Sequence, residues 1–429
     1  MPEFLLHTIW LNGLFRDFPQ TTTDGRQLEV IDPGNHNMDA GPDFSAAQIR
    51  MDGVVLVGNV EIHVKSSDWV KHGHHQDAAY DTVILHVVKE ADKEIFNSRG
   101  EKIAQCELKY PEDPQFLDAL LANRKWLCAR EWEQEDARID NWKHTLLQDR
   151  MMRKCAAIDQ LMLLTHNAWN EAFYVTLAHN FGFHTNSLPF ELMAKQTPLN
   201  YLMKHRSSVF QLEAILFGQS GLLTAETATD DYSLRLWKEY CFLQKKFNLV
   251  PITGSMWKMG RMRPQNFPHL RIAQFAKLIH QSEHLLSEII QTDDLKKLRQ
   301  CFFVVPSEYW QTHYRFGAEV PPAAEAAAPK GTIGKSAVDV LIINTAVPYK
   351  YAWGRAHGDT TLRENAFRLL DTIPAEKNHI ISQWRTLGVR IRSAADSQTF
   401  IHLYQEYCIR QRCLNCDVGY QIFTPSEQK

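Results

Sequence analysis

The 429-residue chain shows little imbalance of charge, no long apolar run and only eight cysteines. Each scarcity removes a class of explanation. A net charge of −3, from 47 Lys and Arg against 50 Asp and Glu, by itself points to no partner. The most apolar late stretch, Val338 to Val347, is short and holds Asp339 and Asn344. It reads as a core segment, not a membrane span. Eight cysteines in so long a chain read as reduced thiols or metal ligands, not as a disulfide framework. Met1-Pro2-Glu3-Phe4 lacks the basic region that opens a secretion signal. A cytoplasmic protein with no membrane partner is therefore expected. There is no repeat of fixed period, which excludes a solenoid.

What is present is the composition of a globular protein, 44% hydrophobic, 23% charged and 11% aromatic, on a chain long enough for two or three domains. Charge is unevenly spread. Residues 1–110 hold 10 Lys/Arg against 17 Asp/Glu, or −7, and the remainder holds 37 against 33, or +4. An acidic front suits a cation site. It is poorly suited to gripping phosphate unless a metal or the rest of the chain supplies positive charge.

Hydrophobic spacing predicts a helix over 4–15 and then strands over 28–31, 44–51, 54–65 and 82–89, with turns at Asp24-Gly25, Pro33-Gly34 and Asp52-Gly53. Residues 67–79 read as a loop entering a short helix, and 95–110 as a hairpin around Ser98-Arg99-Gly100. The run TVILHVVK, 82–89, is apolar enough for the buried middle of a sheet. From about Pro114 the pattern is helical, with long amphipathic periodicity over 135–165. PPAAEAAAPKGT, 321–332, is the clearest linker. The fold class expected is an α/β N-terminal domain with a small mixed sheet, over 1–112. A mainly α-helical region follows, divided into 113–320, the linker 321–332, and a C-terminal part 333–429 with a cysteine tail.

Candidate chemistry concentrates in the front domain. Asn37-Met38-Asp39-Ala40-Gly41-Pro42-Asp43-Phe44 is followed by Glu61-Ile62-His63-Val64-Lys65. Alternation on a strand puts Glu61, His63 and Lys65 on one face, which Asp43 could approach from a neighbouring strand. Two carboxylates with carbonyls and waters suit a hard cation, Mg²⁺ or Mn²⁺. A basic neighbour, His63 or Lys65, could position the attacking water and stabilise charge on a phosphoryl group. The plainer alternative is that Asp, Asn, Gly and Pro near 32–43 are turn formers. His72, His74 and His75 read as an exposed helix start, with a zinc site shared with His63 as the other possibility.

The Pro42-Asp43 and Glu61 pattern resembles the PD-(D/E)XK nuclease superfamily, in which an acidic-x-Lys follows on the next strand. Here His63 stands at the lysine's position and Lys65 lies one repeat further on. The order histidine, Asp77, final strand is similar to the mismatch-repair-like branch, and the likeness covers residues 28–90. The resemblance implies a restriction-endonuclease-like sheet with Asp43 and Glu61 on the metal. At whole-chain level, NMDAGPDF, GNVEIH, Asp68-Trp69, HGHHQDAAYDTVILHVV and RMRPQNFPHLR resemble a bacterial family known only as domain of unknown function 2851, which implies no activity.

Two further segments carry expectations. Residues 251–280 hold Lys258, Arg261, Arg263, Arg271 and Lys277 with no acidic residue, interleaved with Trp257, Phe267 and Phe275. Such a mixture suits nucleic acid, through phosphate contact and stacking; a loop bridged to carboxylates is the alternative. Cys408, Cys413 and Cys416 could bind Zn²⁺ or an iron–sulfur cluster, given a fourth ligand. By analogy with nucleases that enclose such a cluster, Cys128 is a candidate. Cys106, Cys155 and Cys241 read as buried thiols. Three functions follow: a metal-dependent nuclease or nucleic-acid-processing protein, a non-catalytic binding protein on a nuclease-like core, and another metallohydrolase working through the histidines.

Overall fold

The front of the chain builds a seven-stranded mixed sheet. In the computed structural model, residues 3–11, 13–37, 41–111, 132, 137–260, 262–319, 331–410 and 412–423 are described. Helix α1, Glu3–Leu11, precedes strands β1 Gln20–Thr21, β2 Gln27–Asp32, β3 Asn35–His36, β4 Phe44–Met51 and β5 Val54–Lys65. Helix α2, Asp68–Lys71, then leads to β6 Val83–Glu90 and β7 Gln105–Glu107. The spatial order is β1-β2-β4-β5-β6-β7, with β3 beside β4. β2, β4 and β5 run antiparallel, whereas β5–β6 and β6–β7 are parallel.

Local chemistry accounts for this layout. Asp52 and Gly53 both have positive φ, +47° and +83°. That is the two-residue turn whose twist matches a hairpin, and it joins β4 to β5. β5 is rich in β-branched residues, which pack well on a pleated surface. The apolar positions of α1 (Leu5, Leu6, Ile9, Trp10) form one core with Phe44, Ile49, Val60, Ile62, Leu85 and Val87. Burial of each such side chain contributes about 1.5–3 kcal/mol. The Trp10 indole N–H donates to the Pro33 carbonyl at 3.1 Å, tying α1 to the end of β2.

The fold departs from expectation at residues 95–110 and in the C-terminal region. The 95–110 hairpin is reduced to a single bridge between Phe96 and Lys102. Gln105–Glu107 instead joins β6 in parallel, burying Cys106 in the core. The linker over 321–332 lies almost wholly outside the described residues, and the last hundred residues are not one piece. The chain divides into one unit of residues 1–146, 377–391 and 399–429, and another of 147–376 and 392–398. In the first, Phe400 packs against Trp132 and Trp384. Leu341, Ile343, Tyr349 and Leu369 belong to the core of the second. Among the described residues no helix is long and apolar enough to cross a membrane.

The second unit is helical, and its apolar helix Val209–Gln219 is buried along most of its length. That helix carries one carboxylate into the core. Glu213 accepts from Ser307 Oγ at 2.8 Å, from Trp310 Nε1 at 3.2 Å, and from the Tyr232 hydroxyl. Burial nevertheless pushes its carboxyl up to about 7, against 4.5 for an ordinary glutamate. Below pH 4.5 both folded and unfolded forms are protonated. As pH rises through the folded value, ionisation favours the unfolded chain, so stability is lost. A loss on the order of 3 kcal/mol between pH 4.5 and 7.5 is expected from this group. Glu213→Gln should flatten that part of the pH profile of denaturant unfolding. An unchanged profile would show that Glu213 is ionised in the fold.

Candidate metal centre

Strand alternation sorts the residues of the site. Val60 and Ile62 enter the core with α1, so Glu61 and His63 take the other face of β5. On β6, Leu85 and Val87 join the same core, and His86 shares the face of Glu61, its register partner across the parallel pair. The connection from β5 to β6 then crosses this face. It carries α2, a left-handed Gly73 (φ +80°) and two short 3-10 turns. Gly73 reverses the chain between His72 and His74, so both imidazoles return to His63. Trp69, fully buried, anchors the crossover: its indole N–H donates to the Phe96 carbonyl at 3.0 Å, and its ring meets His74 and His86 edge-on. Tyr80 stacks on His74 at 3.8 Å.

The ligand atoms converge tightly. His63 Nε2 lies 3.1 Å from His72 Nδ1 and 3.6 Å from Glu61 Oε1, and His74 Nε2 lies 3.2 Å from that same oxygen. Ligand atoms of His63, His72 and His74 all fall within 4.8 Å of one another, the one such group of three among the described residues. A tetrahedral ion with metal–nitrogen bonds near 2.0–2.1 Å spaces its ligands by about 3.3–3.4 Å. Despite its nearness to Glu61, His74 Nε2 makes no aligned hydrogen bond. His63 Nδ1 is 2.8 Å from His86 Nε2. If His63 donates there, its Nε2 lone pair faces the cluster, and His86 presents Nδ1–H towards Gln105, its partner on β7. This is the outer support that fixes a metal-binding imidazole's tautomer.

Electrostatics favour the metal-binding forms of the imidazoles. Burial, then the neighbouring His86, His72 and His74, pushes His63 down to about 3, and burial pushes His86 down to about 4. Both rings are neutral at pH 7. Burial, then the charge of Asp43, pushes Glu61 up to about 8. Asp43 itself sits low: burial would raise it, but the His7 contact outweighs burial. His7 Nε2 is 3.4 Å from Asp43 Oδ2, an ion-pair contact more than a formed hydrogen bond.

Of the residues singled out in the sequence, Asp43, Glu61 and His63 come together. Asp43 N–H donates to Glu61 Oε2 and Ile62 N–H donates to Asp43 Oδ2, both at 2.9 Å. Lys65 does not join them. It is exposed and paired with Glu90, its register partner, at 2.9 Å. Met38, Asp39 and Ala40 lie outside the described residues. His72 and His74, for which a zinc site shared with His63 was the alternative to an exposed helix start, do join His63, whereas His75 is not in that group of three; His7 and His86 were missed as site residues.

The other two candidate regions look different in the fold. Arg271 is buried, lies 4.3 Å over the Phe183 ring, and donates to Gln274 and Asn266. Trp257 and Phe275 are buried too, so neither can stack on a base. Lys258 and Arg263 are exposed, and Arg261 lies outside the described residues. Cys408, Cys413 and Cys416 do not form a set of three close ligands, and Cys128 lies outside the described residues. Cys413 packs against the front core, and burial pushes its thiol up to about 11 and that of Cys416 upward.

The chain belongs to the family described as protein of unknown function DUF2851, whose profile matches residues 3–379. No curated protein and no solved structure matches it.

Titration with Zn²⁺ or Co²⁺ is expected to give one tight site per chain. His63→Ala and His74→Ala should abolish it. His86→Phe should weaken it about 10–100-fold, and Lys65→Ala and Cys413→Ser should leave it unchanged. Equal affinity in His74→Ala and the parent would place the ion elsewhere.

Proposed function

We propose that the first unit is a metal-dependent hydrolase in which His63, His72 and His74 hold a zinc-class ion and Glu61 is the acid–base group. The observation that carries this reading is the convergence of three imidazole nitrogens within 4.8 Å of one another, with Glu61 Oε1 3.2 Å from His74 Nε2 and 3.6 Å from His63 Nε2. Three nitrogen ligands are the pattern of a hydrolytic zinc site, whose fourth position a water or Glu61 Oε1 would take. An ion held there supplies a water acidified towards neutrality. Glu61 Oε1 lies where it can take a proton from that water and return it to a leaving group. Its other oxygen is fixed by the Asp43 N–H, and Asp43 is fixed in turn by the Ile62 N–H and His7. Asp43 is thus a positioning residue in this reading.

A second reading, the Mg²⁺- or Mn²⁺-dependent nuclease on a restriction-endonuclease-like core, has one specific observation in its favour. Asp43 and Glu61 meet across two antiparallel strands, and the next strand, β6, runs parallel to β5. The ligand chemistry weighs against it, because Mg²⁺ takes oxygen ligands and keeps several waters. Three imidazoles suit a softer ion.

Metal-loaded protein should hydrolyse activated esters or phosphoesters. Glu61→Gln is expected to keep the ion and lose about 10²–10⁴-fold in kcat. Should Glu61→Gln lose the ion instead, Glu61 is a fourth ligand and the site is closed and structural. Cleavage of DNA or RNA with Mg²⁺ that survives His72→Ala and vanishes in Asp43→Ala would replace this reading with the nuclease. Bound metal without turnover of any substrate would leave a binding protein.

A further inference from the structure

We infer that the second unit binds a small neutral molecule, with an apolar body near the size of a benzene ring and one hydrogen-bonding oxygen, in a pocket between four of its helices. The pocket lies wholly within residues 147–376, so the inference does not depend on the metal centre.

Helical spacing builds the pocket. The helix Trp169–Phe181 presents Asn170, Phe173, Tyr174 and Leu177 to it, positions i, i+3, i+4 and i+7 of one face. Leu199 and Met203, four apart on Leu199–Lys204, line it from a second helix. The end of Pro268–Gln281 adds Leu278 and Ile279, and the start of Leu285–Gln291 adds Leu285 and Leu286. Two of the lining rings are held from behind. Phe173 meets Tyr349 edge-on at 5.1 Å, and Tyr174 stacks on Phe275 at 5.8 Å. The segments on either side are tied together as well: Arg206 pairs with Glu283 at 2.8 Å, and its carbonyl accepts from His280 Nδ1 at 2.7 Å. Side chains fixed in this way are not free to collapse into the space, which measures about 130 Å³.

Size and lining set the class of ligand. An apolar cavity of about 150 Å³ stays dry and takes up benzene. Pockets for drug-sized ligands run to about 300–1,000 Å³, so a nucleotide or a large cofactor does not fit here. The lining is apolar except for Asn170, Tyr174, Ser282 and Glu283. Glu283 is taken by Arg206, and Asn170 is exposed at the rim. Tyr174 is the deeply buried one: only 3% of it is exposed, and its hydroxyl has no hydrogen-bond partner. Glu171, one turn earlier, is not available to it, because both carboxylate oxygens accept the Leu199 N–H at 3.1 Å. Burial, then Glu171, raises the phenol, so it keeps its proton and can donate. A long side chain on a helix leans back over the preceding turn. That brings this hydroxyl to the side of the pocket where Asn170 and Leu199 lie. A ligand carbonyl or hydroxyl oxygen completes the phenol there, and a ring or short chain fills the apolar remainder.

The test uses the full-length chain with isotope-labelled methionine methyl groups, so that Met203 reports from the pocket wall, its signal assigned with Met203→Leu. Cyclohexanone and methylenecyclohexane are the probes, matched in shape and differing in the one oxygen. Both are expected to shift the Met203 signal saturably. Tyr174→Phe should weaken cyclohexanone up to about tenfold and leave methylenecyclohexane unchanged. Because the hydroxyl it removes has no partner, this variant should unfold in denaturant no earlier than the parent. Leu199→Trp, on the half-buried wall, should fill the pocket and abolish binding of both probes. No shift of Met203 with either probe overturns the inference. So does binding of both probes with no selective loss of cyclohexanone in Tyr174→Phe, which would leave an apolar cavity and no recognition of oxygen.

Discussion

The parallel pairing of β5 with β6 is the constraint on which the rest of the front unit depends. Antiparallel strands can be joined by a tight turn, but parallel strands require the chain to return across a face of the sheet. Here the return runs over residues 66–82, on the face opposite α1. Strand alternation had already placed Glu61, His63 and His86 on that face, so the crossover closes over polar residues that an open sheet edge would leave to water. Trp69 and Tyr80 exclude solvent from the same side. The site is therefore a consequence of topology: one apolar face packs under α1, and the other is roofed by the segment that carries His72 and His74.

The sequence makes the strands legible because their signals are local. Asp52-Gly53 marks the hairpin, and the β-branched run after it marks β5. Asp43 and Glu61 stand out because a polar loop before an apolar strand has little packing purpose. The remaining site residues depend on register and closure, which no short window contains. His86 sits inside the apolar run of β6, and its meeting with His63 follows from the parallel register. His72 and His74 have the look of a polar helix start until the crossover folds them back. Lys65 shows the converse. Parity puts it on the face of Glu61, but its neighbour is set by the register, and that neighbour is Glu90.

Arg271 was placed in a phosphate-binding segment for a related reason. Arg271 and Phe275 lie on Pro268–Gln281, a helix buried over most of its residues. Composition reports which side chains are present, not which face they occupy. A guanidinium lying over Phe183 with two amide partners is a core group, however well its sequence context suits phosphate.

Buried polar groups are completed to different degrees across the chain. In the second unit, the Lys350 ammonium is buried, donates to the carbonyls of Ile289, Ile290 and Thr292, and pairs with Asp293 at 2.7 Å. Lys154 donates to the Ile343 carbonyl and to the side chains of Asn344 and Gln398. Glu213 receives three donors. These groups are satisfied by the protein itself and so serve the fold. Ring nitrogens of His7, His36, His74, His75 and His86 in the first unit, and of His205 and His269 in the second, are buried without a formed hydrogen bond. Each such group costs about 1–3 kcal/mol if nothing meets it. What sets the first unit apart is that three of its imidazoles cluster beside a raised carboxylate, where a cation could meet them. Coordination of that cation would contribute to folding as well as to catalysis.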